Sequence, residues 1–94
     1  MQDFDLHIHG KRWSVRFVGT RELRDAWGEA DLPSARRPKI RIHRNQTERR
    51  LRETLIHEVL HAVRPELCEE AVDETARILE RALHRLERAQ HGSG

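Results

Sequence analysis

The chain has 94 residues, 36% hydrophobic and 36% charged, with two tryptophans, two phenylalanines and no tyrosine. That composition supports one modest, largely aliphatic core and excludes a second, so a single domain over residues 1–90 is expected. One cysteine, Cys68, excludes an internal disulfide. No apolar run resembles a signal peptide or a membrane span, and a cytoplasmic setting without membrane association is the default expectation.

In chain order, Phe4, Leu6 and Ile8 alternate with Asp5, His7 and His9. Gly10-Lys11 interrupts, and Trp13, Val15 and Phe17 resume the alternation, which predicts an antiparallel hairpin. His7 and His9 fall on its polar face, where alternate solvated positions explain them more simply than metal binding. Arg21 to Trp27 fits a short helix as well as a loop. Gly28, Pro33-Ser34 and Arg37-Pro38 punctuate the next stretch, and Ile40 and Ile42, alternating with Arg41 and His43, predict a short strand.

Asn45 followed by Glu48 three residues on resembles a capping box, so a helix should open near Thr47 and run to about Val63, where Pro65 stops it. Leu51, Leu55, Ile56, Val59, Leu60, Ala62 and Val63 keep helical spacing along it. A second helix should begin between Glu66 and Glu69, with Val72, Ala76, Leu79, Leu83 and Leu86 inward and Arg77, Arg81, Arg85 and Arg88 largely outward. The short linker makes the two helices antiparallel neighbours. The class is therefore α+β, a small antiparallel sheet packed on two helices. His91-Gly92-Ser93-Gly94 reads as an unstructured tail or an expression remnant.

The first helix carries His57-Glu58-Val59-Leu60-His61. Histidines at i and i+4 share one helix face and can present two imidazoles to one zinc ion. The intervening glutamate lies about 100° round the helix, where it can take a proton from a zinc-bound water, which makes His57 and His61 ligands and Glu58 the general base. Two histidines and a glutamate on a half-buried helix would be costly to desolvate without a partner. Stepping back from Val72 and Ala76 by three and seven residues puts Glu69 on the same inward face, so Glu69 is the expected third ligand, with Glu70 one residue away as the alternative. Asp73 and Glu74 read as charges at the helix start, with Asp73 able to pair with Arg77. Cys68 is near the proposed site and zinc binds thiolate well, but a small buried or capping residue is the simpler reading.

Charge is uneven. Arg36, Arg37, Lys39, Arg41, Arg44, Arg49, Arg50 and Arg52 face only Glu48 in their window, and Glu66, Glu69, Glu70, Asp73 and Glu74 follow with no basic residue between them. The arginines could grip phosphate, yet no aromatic interleaves with them, so a solvated surface is the simpler reading and nucleic acid a partner that is possible but not favoured.

The hairpin, the Ile40-Arg41-Ile42-His43 strand, the His57-Glu58-Val59-Leu60-His61 helix and the following helix with Glu69 together resemble a minimal zincin metallopeptidase of the gluzincin type, as in small phage and bacterial zincin-like proteins. The resemblance covers roughly residues 39–83. It implies one Zn2+ per chain held by His57, His61 and Glu69 or Glu70, with Glu58 as base. It also implies that Ile40, Arg41, Ile42 and His43 form the edge strand that aligns an extended peptide or protein substrate. The implied activity is hydrolysis of a peptide bond. His43 and Arg64 could act as further donors near the reaction, but a surface histidine and a surface arginine are the simpler reading. A non-catalytic zinc-binding module or a nucleic-acid-binding regulator is the alternative.

Overall fold

The computed structural model describes residues 1–92. Its elements in order are β1 (Phe4–Ile8), β2 (Lys11–Val18), β3 (Gly28–Ala30), β4 (Lys39–His43), α1 (Glu48–Val63) and α2 (Glu69–Gly92). The class is α+β, as the residue pattern implies.

β1 and β2 form the expected hairpin, with Ile8 opposite Lys11. Its two-residue loop is His9-Gly10, with φ of 50° and 77°. Two left-handed residues in a row match the right-handed twist of the flanking strands, which a type I′ turn requires. His9 therefore leaves the strand's polar face, and its Nε2 donates to the Val63 carbonyl at 3.0 Å, tying the turn to the end of α1.

The sheet is mixed instead of antiparallel, in the order β1-β2-β4-β3. β2 and β4 run parallel, with Val15 opposite Ile40 and Phe17 opposite Ile42. Parallel neighbours need a crossover, and residues 19–38 supply it. Residues 19–27 run as turns and bends instead of the short helix that was one expectation, and then form the three-residue strand β3. β3 pairs antiparallel with the far side of β4. The Ile40–His43 strand is consequently an inner strand, and β3 is the edge. Its polar outer face is matched by β3: Arg41 meets Glu29 at 3.1 Å and Asp31 at 2.9 Å.

α1 covers one face of the sheet. Trp13, Val15, Ile40, Ile42, Ile8 and Ala62 form the buried cluster, with Leu51, Leu55, Val59 and Val63 packed against it. Each fully buried aliphatic side chain there contributes about 1.5–3 kcal/mol. The helix cap is Thr47, whose Oγ1 accepts from the Arg50 amide at 3.3 Å, in place of the Asn45–Glu48 box. The Arg64 amide closes the other end on the Leu60 carbonyl.

α2 packs chiefly on α1, with the sheet beyond it. The helices are antiparallel: His57 faces Asp73, and further back along α1 Arg49 meets Glu80 at 2.7 Å. Val72 and Ala76 are buried as expected, but Leu79, Leu83 and Leu86 are 42%, 46% and 55% exposed. With 24 residues against 16, α2 runs past the start of α1, which leaves Leu83 and Leu86 uncovered, while the i+4 step from Val72 and Ala76 leads to the buried Glu80. His91 and Gly92 belong to α2 and are no tail, while Ser93 and Gly94 lie outside the described residues. Among the described residues no helix is long and apolar enough to cross a membrane.

Candidate metal centre

One turn of α1 points His57 and His61 at the first turn of α2. Their Nε2 atoms are 3.1 Å apart. Glu69 bridges them, Oε1 lying 2.8 Å from His57 Nε2 and Oε2 3.1 Å from His61 Nε2. Metal–nitrogen distances near 2.0–2.1 Å put neighbouring corners of a tetrahedron about 3.3 Å apart, close to the observed spacing. His57, His61 and Glu69 thus form a group that could hold a metal ion. Glu70 and Cys68 are exposed and stand outside this group.

His57 has a second partner. Its Nδ1 lies 3.0 Å from Asp73 Oδ1. A carboxylate here accepts, so Nδ1 carries the proton and Nε2 keeps its lone pair for the metal side, the arrangement typical of histidine ligands. Asp73 therefore serves His57, not Arg77. Glu69 and Asp73 are one helical turn apart on the same side of α2, and that i, i+4 relation was the signal for Asp73 in the sequence.

Glu58 points from the same turn towards the sheet and is 7% exposed. Burial pushes its pKa up to about 7, helped by Glu69 and Glu29 and opposed by His57. Gly28 makes this packing possible. A Cβ there would stand 2.7 Å from Thr54 Cγ2, 3.1 Å from Glu58 Cγ and 3.2 Å from the Arg41 carbonyl. Only a residue without a side chain lets α1 approach the edge strand so closely.

A cleft of about 340 Å³ opens beside His57 and Glu58, bounded by Trp27 and Gly28 on the strand side and Asp73 and Arg77 on α2. On the His61 side a second groove is lined by Ala30, Asp31, Leu32, Pro33 and Pro65. β3 runs between the two. Its alternation is fixed by the hydrogen bonds from the His43 amide to the Trp27 carbonyl and from the Asp31 amide to the Lys39 carbonyl. Residues 27 and 31 turn their main chain towards β4, so Gly28 and Ala30 turn theirs to the open edge.

The residues expected to align a substrate are not at that edge. Ile40 and Ile42 are fully buried under α1. Arg41 is engaged with Glu29 and Asp31, and burial of Asp31 is outweighed by its bonds from Arg41 and the Lys39 amide, which hold its pKa below the ordinary value. His43 is buried, its Nδ1 accepting from the Asn45 amide at 3.1 Å and its ring edge-on to Trp27. Arg64 is exposed beside Glu66. β3 has no clear sign in the residue pattern, because three residues are too few to show a period.

Searches of protein-family models, curated proteins and solved structures find no match to this chain.

Proposed function

We propose that the chain is a zinc-dependent metallopeptidase of minimal, zincin-like design, acting on extended peptide segments. The observation that carries this reading is the convergence of two imidazole nitrogens and one carboxylate, with a buried glutamate of raised pKa on the same helical turn. Two nitrogens, one oxygen and an open side are the donor set of catalytic zinc. A zinc ion held there would supply Lewis-acid chemistry, polarising the scissile carbonyl and making an attacking water more acidic.

The chain's own residues do the rest. His57, His61 and Glu69 would hold the ion, and Asp73 fixes the His57 tautomer. Glu58, on the same turn as His57 and beside the cleft, would take the proton of the attacking water and return it to the leaving amine. The substrate backbone adds to the open edge of β3 through the main chain of Gly28 and Ala30. We place the protein's action in the cytoplasm, on the strength of its single unpaired cysteine. A nucleic-acid function is less well supported, because Arg41, Arg49 and Arg52 of the basic window are spent on acidic partners within the fold.

The test is metal content together with hydrolysis. Protein purified without chelator should hold one zinc per chain, lost in His57→Ala and in His61→Ala. Glu58→Gln should keep the zinc and lose hydrolysis of an unstructured protein. Substoichiometric metal that neither histidine variant alters would remove the site, and unchanged turnover in Glu58→Gln would remove the mechanism.

A further inference from the structure

The cleft beside His57 carries two arginines that the metal centre does not use. Arg50 comes from the first turn of α1 and Arg77 from α2, and both line the cavity that His57 and Glu58 open into. Among the described residues neither has an ion-pair partner, although Arg41, Arg49, Arg52 and Arg64 all do. Arg50 is also held in place, its guanidinium stacked 4.9 Å above the Trp27 ring at the lip of the cleft. A guanidinium fixed by stacking keeps its planar fork free for a carboxylate. Of the acids in the cavity wall, Asp73 is taken by His57 and Glu58 is largely buried, so Glu53 alone stands against two free cations.

The strand direction says which part of a substrate reaches them. β3 runs from Gly28, at the arginine cleft, to Ala30, at the groove beside His61. A peptide added antiparallel to this edge enters over Ala30 and leaves over Gly28. The segment after the scissile bond therefore lies in the arginine cleft.

We infer that this cleft binds a substrate carboxylate on the C-terminal side of the cut, read by Arg50 and Arg77, so that the preferred substrates are acidic just beyond the scissile bond or end there. This rests on the peptidase reading above. A charge-assisted, bidentate contact in a half-open cleft corresponds to roughly a ten-fold preference.

The experiment uses the zinc-loaded full chain and a mixed peptide library, with cut sites read by mass spectrometry. Two versions of the library, with free and with amidated C-termini, separate the two sources of the carboxylate. Enrichment of Asp and Glu at the first or second position after the cut in both versions assigns a side chain. Cutting close to free ends that disappears on amidation assigns the terminal carboxylate. In either case Arg50→Gln and Arg77→Gln should lower the preference while retaining zinc and cleavage, and Arg50→Glu with Arg77→Glu should turn it towards Lys and Arg. Zinc-dependent cleavage with no acidic or terminal preference, or a preference that both glutamine variants keep, overturns this inference and leaves the peptidase standing. No zinc-dependent cleavage of either library overturns both.

Discussion

Asp73 accepts from His57 Nδ1 at 3.0 Å while Glu69, one turn earlier on α2, meets the Nε2 atoms of both His57 and His61. Two carboxylates of one helix thus address opposite sides of one imidazole. Their roles separate by substitution. Losing a partner that only orients a ligand costs about 10- to 100-fold in metal affinity, so Asp73→Asn should weaken zinc binding by that factor. Glu69→Gln should cost more, and Glu70→Gln should cost little. Competition with a chromophoric chelator ranks the three, and a Glu70 effect larger than that of Glu69 would place the ligand elsewhere.

Gly28 is the position where the edge strand and α1 touch most closely. Gly28→Ala forces a methyl group to within 2.7 Å of Thr54 Cγ2. Overpacking of this kind costs about 1–3 kcal/mol, and here it also displaces Glu58. Thermal unfolding should show the loss. Adding Thr54→Ser removes the clashing methyl and keeps the hydroxyl that donates to Gln46 Oε1, so the double variant should regain part of the stability. An alanine variant as stable and active as the wild type would show that this approach is not tight in solution.

Glu58 makes the metal-free protein sensitive to pH. Its pKa is raised by burial from 4.5 to about 7, so between those values the folded chain holds a proton that the unfolded chain has released. Stability then falls as pH rises through this window and levels off above it. Denaturant midpoints in chelator at about pH 5 and about pH 8 should differ more in the wild type than in Glu58→Gln. Equal differences in the two proteins would mean that Glu58 is not buried as a protonated acid.

Binding to nucleic acid should be weak. Arg41, Arg49 and Arg52 already sit within 3.1 Å of acidic oxygens, which leaves Arg36, Arg37, Lys39, Arg44 and Arg50 from the basic window spread over a loop, the two ends of a strand and a helix start. Each phosphate neutralised contributes about −0.9 to the log-log salt slope. A titration of a short duplex should therefore show a shallow slope and low affinity at physiological salt. Tight, chelator-insensitive binding would favour a nucleic-acid reader over a peptidase.

What the sequence determined by itself is what depends on local spacing. The His57/His61 pair shares a face because four residues make about one helical turn, and Glu69 faces it because a five-residue linker returns α2 along α1. The hairpin was equally legible, since alternation and a Gly10 turn act over a few residues. Tertiary structure alone decided how the strands are ordered. Ile40 and Ile42 alternate in the way an edge strand or an inner strand does, and only the crossover through residues 19–38 and the pairing of Arg41 with Glu29 and Asp31 place β4 inside. The outer position falls to β3, three residues with no period to read, chosen because Gly28 admits α1. The same holds for α2: a stripe at 72, 76, 79, 83 and 86 reads as one face, yet the 24-residue α2 outruns the 16-residue α1 it packs on, which leaves Leu83 and Leu86 exposed, while Glu80 is buried beside Arg49 of α1.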